Sequence, residues 1–304
     1  LFGLFNEMYG WQQTDMSYVI TIAGGISLIA VVLFGTLGRK IGAKMVSVIG
    51  LAGSAIGFAV LACAHTFELF AAGVVIFNFS MVAYATIGVG LLGSSWFPRT
   101  KGAFMGIATM GMTISSATLN PIILGFAGSA FGISGFFWAM AAIVAITAVV
   151  VFLFVKNNPE EAGAYPDNDQ SVSREELEAE FKAALEYKKT SPWTTARVLK
   201  TPQTWLIGLG TGLPMMVGAG TIALLVPTLA SYGQDPMFGV VLLSSMWPIG
   251  LLGHYLIGVL DQKIGTKKTT LVVICVLGLG GLLVRLGGAN SVVCAVATGM
   301  FMFG

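Results

Sequence analysis

Ser244, Trp247, Leu251, His254 and Gly258 recur at helical spacing inside an apolar run, which puts an imidazole and an indole on one face. An ionisable side chain surrounded by apolar residues is costly to keep there, so each one is a functional candidate. A neutral His254 can hydrogen-bond a carboxylate; a protonated one can pair with it and make the chemistry depend on pH. The same spacing equally suits a histidine that bonds a neighbouring helix and only packs. Pro248, in the same run, predicts a local kink. A second stripe is formed by Gly102, Gly106, Thr109, Thr113, Ser116 and Asn120, spaced 4, 3, 4, 3 and 4. Its glycine end suits close helix contact, while Thr113 and Asn120 either line a polar cavity or pack. Tyr84, with Ser80 one turn below, offers a phenol to a cavity or to the core. Arg285 lies ~25 Å along its helix from Lys268, close to the outer membrane surface. There it snorkels to headgroups or touches a solute.

The elements that carry these residues are membrane spans. Of the 304 residues, 56% are hydrophobic and 10% are charged, and the mean hydropathy is +0.85. A soluble domain carries about 25% charged residues. A spanning helix needs about 20 apolar residues. Runs of that length occur at Ser17–Gly38, Met45–Ala64, Leu69–Gly93, Gly102–Phe126, Ile133–Val155, Thr204–Ser231, Met237–Leu260 and Thr269–Gly288. Leu1–Phe5 reads as the tail of an earlier span, closed by a polar turn over Asn6–Asp15, and a last span begins near Ser291. None of the runs alternates in polarity, so helices rather than barrel strands are expected. The span over Thr204–Ser231 holds Pro214, Pro227 and many glycines, a composition that permits bending.

One short motif occurs twice. Gly35-Thr-Leu-Gly-Arg-Lys-Ile-Gly-Ala-Lys44 returns 223 residues later as Gly258-Val-Leu-Asp-Gln-Lys-Ile-Gly-Thr-Lys267, with six of the ten positions identical. Each copy sits between two apolar runs, the trace of an internal repeat. Fifteen of the 16 Lys and Arg residues lie in four loops that fall on one side if every run crosses the membrane. That asymmetry places those loops in the cytoplasm.

The expected organisation is an N-terminal bundle over 1–155, a cytoplasmic linker over 156–203 and a C-terminal bundle over 204–304. Within the linker, Ser173-Arg-Glu-Glu176 reads as a capping box. It precedes Leu177, Phe181 and Leu185 at four-residue spacing, the pattern of an amphipathic helix. The first residue is Leu and the chain stops inside an apolar run, so it reads as a fragment with both ends missing; the intact protein is expected to have six spans plus six.

Several classes of function are excluded by what the residues lack. No His, Cys or acid cluster has metal-ligand spacing, and the three cysteines all lie in apolar runs, which implies no disulfide framework. Gly208-Leu-Gly210 and Gly278-Leu-Gly280 sit in membrane spans and are not nucleotide loops. The cations border lipid and do not interleave with exposed aromatics, so nucleic acid is not a partner. An enzyme is not expected, nor is any cofactor.

The two basic turns resemble the signature loop of the major facilitator superfamily, in which a Gly, a Leu, an acid and a second Gly precede basic residues. Tyr9-Gly-Trp11, Trp96-Phe-Pro-Arg-Thr-Lys-Gly102, Asn158-Pro-Glu-Glu-Ala-Gly163 and Leu199-Lys-Thr-Pro-Gln-Thr-Trp205 resemble the oxalate/formate antiporter branch and its monocarboxylate-porter relatives. Tyr84 is similar to an aromatic cavity position of that branch. There are departures. The loop acid falls at Arg39 in the first copy and at Gln262 in the second, with Asp261 one place early. The branch has an Arg in span eight where this chain has His254, and its other cation belongs to span eleven, beyond Gly304.

The resemblance implies an all-α integral membrane protein of the major facilitator fold, with two six-helix halves, of which spans 1 (partial) to 10 (partial) are present. It implies a monomeric secondary transporter in a bacterial inner membrane, moving a small mono- or dicarboxylate by alternating access. Transport would be antiport or proton symport. The alternatives are a neutral or cationic cargo, or a transport-dead sensor with the same fold. The expected solute contacts are His254, Trp247, Tyr84, Thr113, Asn120 and Arg285. The expected cytoplasmic gate residues are Gly35, Arg39, Lys40, Gly42, Gly258, Asp261, Lys263 and Gly265.

Overall fold

A computed structural model of the chain describes residues 2–127, 129–169, 195–287 and 289–303, together with positions 179, 182, 183, 186, 190 and 192. All regular elements among these are helical: α1 (Phe2–Tyr9), α2 (Gln13–Ala62), α3 (Phe67–Val82), a π-helical turn at Ala83–Gly88, α4 (Val89–Trp96), α5 (Lys101–Ala127) and α6 (Gly132–Phe154). After two short 3₁₀ turns, Pro159–Ala162 and Pro166–Asn168, come α7 (Thr195–Lys200), α8 (Pro202–Ser231), α9 (Pro236–Ser245), α10 (Trp247–Ile264), α11 (Thr266–Gly287) and α12 (Ser291–Phe303). The amphipathic helix expected around Leu177, Phe181 and Leu185 lies outside the described residues.

Helix ends fall within a few residues of the apolar runs, because lipid forces each backbone N–H and C=O to pair inside its own segment. Among the described residues, five helices are long and apolar enough to cross a membrane, and six if α9 and α10 form one bent span. Their outer faces stay uncovered by protein; Leu28, Phe154 and Leu286 are 71%, 75% and 83% exposed. Such side chains belong against lipid.

The structure differs locally from the sequence expectation in three places. The polar turn expected over Asn6–Asp15 is shorter, since α1 runs to Tyr9 and α2 starts at Gln13. Helix continues through most of the basic motif: α2 is 50 residues long, and Gly42 alone leaves the helical region inside it. Fifty residues would rise ~75 Å, more than twice the ~30 Å of a hydrocarbon core, so Gly42 divides two spans. The eighth span breaks at Met246, two residues before Pro248, and bends by 43°.

The chain divides into two compact units, Leu1–Lys101 with Thr118–Asp167, and Gly102–Ala117 with Asn168–Gly304. In the first, an aromatic cluster ties α1, α2, α3 and α6 together. Phe5 stacks on Trp11 at 5.5 Å and on Phe137 at 6.1 Å, and meets Phe70 edge-on at 5.2 Å. Further along, α2 and α3 touch backbone to backbone. A Cβ on Gly57 would lie 2.8 Å from the Phe77 nitrogen, and one on Gly50 would lie 2.7 Å from the Ser80 carbonyl oxygen. The second unit packs around Leu225, Leu229, Leu242, Leu277, Cys294 and Phe301.

Candidate functional site

The break in the eighth span separates part of the first stripe. Ser244 ends up on α9, while Trp247, Leu251, His254 and Gly258 stay on α10. Trp247 begins α10 and is 38% exposed. Pro248 is suited to that position, because its fixed φ fits the first helical turn and its missing N–H has no partner to lose there. His254 lies seven residues on, two helical turns away on the same face, and is half-buried.

Glycines on two faces, one of them the His254 stripe itself, hold α10 in place. A Cβ on Gly258 would lie 2.6 Å from the Gly102 carbonyl oxygen, and one on Gly106 would lie 2.6 Å from the His254 carbonyl oxygen. A Cβ on Gly253 would meet the Phe303 backbone of α12. The glycine end of the fifth-span stripe and the His254 turn are thus brought together within the second unit. Thr109, next on that stripe, turns its hydroxyl back to the Met105 and Gly106 carbonyls at 3.0 and 2.9 Å. Thr113 and Asn120 lie on α5, and their side chains fall outside the described residues.

Tyr84 belongs to the first unit. It sits in the π-helical turn, a local widening often found at functional positions. Its ring is half-buried against Gly50, whose added Cβ would lie 3.3 Å from Tyr84 Cδ1. Close by on α2, Ser54 is fully buried, with its hydroxyl beside the Tyr84 phenol. Arg285 lines a groove of about 420 Å³ between α8, α11 and α12, shared with Thr221, Thr228, Tyr232 and the Phe301 ring. Arg285 and His254 do not line that groove together.

A family model described as Major Facilitator Superfamily matches residues 1–304. The chain belongs to the major facilitator superfamily. In fold it is similar to the solved structure of a proton:xylose symporter of that superfamily bound to 6-bromo-6-deoxy-D-glucose. The TM-score is 0.69 at 13% identity, and the match covers 99% of this chain and 73% of the symporter. A comparison with curated proteins finds no match.

The signature loops of this facilitator share one geometry. Gly42 has φ 86° and ψ 165°, and Gly265 has φ 83° and ψ 154°. Only glycine adopts that region readily. In each copy, then, a single residue carries the reversal between two helices. Arg39, Lys40 and Lys263 are exposed, while Gly258 is buried. Asp261 faces Gly102, where an added Cβ would lie 3.2 Å from Asp261 Oδ2.

Two functional features were missed from the sequence. The repeat extends further back, because Tyr9-Gly10 and Tyr232-Gly233 are also 223 residues apart, and both glycines take positive φ at helix ends. The recurring Tyr-Gly pair was a legible signal. The second feature is the role of Asn157 and Asp167 beyond α6, for which no spacing rule exists.

Proposed function

We propose that this facilitator moves a small organic anion, a mono- or dicarboxylate, by alternating access, and that the α10 turn from Trp247 to His254 contacts it. The observation that carries this reading is the break at Met246. A helix that restarts within a span turns the positive end of its dipole into the span, where an anionic group is favoured. Trp247 supplies an indole N–H at that end, and His254 a donor two turns further on. Exchange or proton symport fits a chain that carries no nucleotide loop.

A neutral cargo is the second reading. His254 stands where the resembling branch carries an Arg, and the symporter of similar fold takes xylose by its name. Uptake of labelled oxalate, formate and xylose into proteoliposomes separates the two. Carboxylate uptake that falls about tenfold in His254→Ala supports the anion reading, given a charge-assisted hydrogen bond of ~1.5–3 kcal/mol. Xylose uptake without carboxylate uptake would replace it.

A further inference from the structure

The segment after α6 folds back along the first unit and is tied at both ends. At its near end, the Asn157 side chain accepts a hydrogen bond from the Lys44 N–H at 2.9 Å. Lys44 lies in the first turn of helix after Gly42, where backbone N–H groups have no partner within their own helix. Asn157 therefore caps that helix from a distant part of the chain. It also fills the space beside the turn, since a Cβ on Gly42 would lie 2.6 Å from Asn157 Oδ1. The Lys156 carbonyl accepts from Trp96 Nε1 at 3.2 Å. Glu161 braces the bend, accepting from Asn157 N at 3.2 Å and from Asn158 Nδ2 at 3.1 Å. At the far end, Asp167 accepts from the N–H groups of Arg99 and Thr100 at 2.9 and 3.0 Å, and from the Thr100 hydroxyl.

The second copy of the turn has the same backbone angles and different surroundings. Among the described residues, nothing lies within 4 Å of a Cβ built on Gly265. We infer that residues 156–168 are a strap that clasps the first signature turn, with Asn157 as its positioning residue, and that the second turn has no such clasp among the described residues. This goes beyond the proposed carriage of a carboxylate and holds for any cargo.

The physical consequence is an asymmetry between two turns that share a geometry. Rotation about Gly42 swings the helix start at Lys44 and breaks its bond to Asn157. Rotation about Gly265 disturbs bonds that stay local, from the Thr269 N–H and hydroxyl to the Gly265 carbonyl at 3.1 and 3.2 Å. The helices flanking Gly42 are therefore tied to the segment after α6, a tie for which Gly265 has no counterpart among the described residues.

Amide hydrogen exchange on the full chain in lipid nanodiscs, with no solute added, tests this separately from the identity of the cargo. Amides 43–46 should exchange about tenfold more slowly than amides 266–269, the effect of one net hydrogen bond and its packing. Asn157→Ala should bring the first set up to the rate of the second without changing the second. Asn157→Asp, which keeps an acceptor oxygen, should retain the protection. Uptake by Asn157→Ala should lose turnover with KM unchanged. Equal exchange at the two turns of the unaltered protein would overturn the inference, and needs no variant to fold. Faster exchange in Asn157→Ala with unchanged turnover would overturn the positioning role.

Discussion

Gly42 and Gly265 lie 223 residues apart and hold the same backbone turn, φ 86° with ψ 165° and φ 83° with ψ 154°. Each follows an Ile and precedes a Lys by two positions. A reversal made by one residue leaves no loop to absorb a substitution.

Alanine at either glycine should destabilise the protein by about 1–3 kcal/mol, the strain of that backbone region for a side chain. Gly42→Ala should cost more than Gly265→Ala, because Asn157 occupies the space beside Gly42 alone. Thermal unfolding midpoints of the detergent-solubilised variants check this. Equal losses would mean that Asn157 yields without cost.

The contact between α5 and α10 makes a sharper demand. Gly106→Ala and Gly258→Ala each push a methyl group against a backbone oxygen, and backbone cannot step aside as a side chain can. Each should cost about 1–3 kcal/mol as overpacking. Gly111→Ala faces open space on the same helix and should be neutral or stabilising by up to ~1 kcal/mol. If all three variants melt together, the helices are not in contact as described.

Asp167 gives the strap a dependence on acidity. Its burial works to raise the carboxyl pKa, but the Thr100 hydroxyl, the Arg99 and Thr100 N–H groups and the Arg99 charge outweigh that and hold it below the usual range. A group depressed on folding stabilises above its unfolded pKa, and the benefit disappears as pH falls through the folded value. The melting difference between the unaltered protein and Asp167→Ala should therefore be constant near neutrality and shrink below about pH 4. A difference that grows on acidification would have the wrong sign.

The span limits and the paired turns were legible because lipid allows few solutions: about 20 apolar residues per crossing and basic residues on the cytoplasmic side. Gly42 and Gly265 stood out as members of the repeat. Their conformation did not, since Lys and Ile neighbours are compatible with a longer turn. The break at Met246 was expected nearer Pro248. Pro248 instead sits inside the first turn of α10, where it fits, so the helix ends ahead of it. Asn157 and Asp167 act through contacts more than 60 residues away in the chain, such as Thr100 to Asp167 and Lys44 to Asn157, and no local pattern encodes those. The side chains of Thr113 and Asn120 lie outside the described residues.

We propose that this chain carries a small carboxylate from one side of a membrane to the other. Counterflow tests it most directly: full-length protein in liposomes preloaded with unlabelled oxalate or formate, with labelled solute outside. The account predicts a transient overshoot of internal label above its equilibrium level, reduced by His254→Ala. Label that rises no faster than in protein-free liposomes, from a protein that still binds the solute, would contradict it.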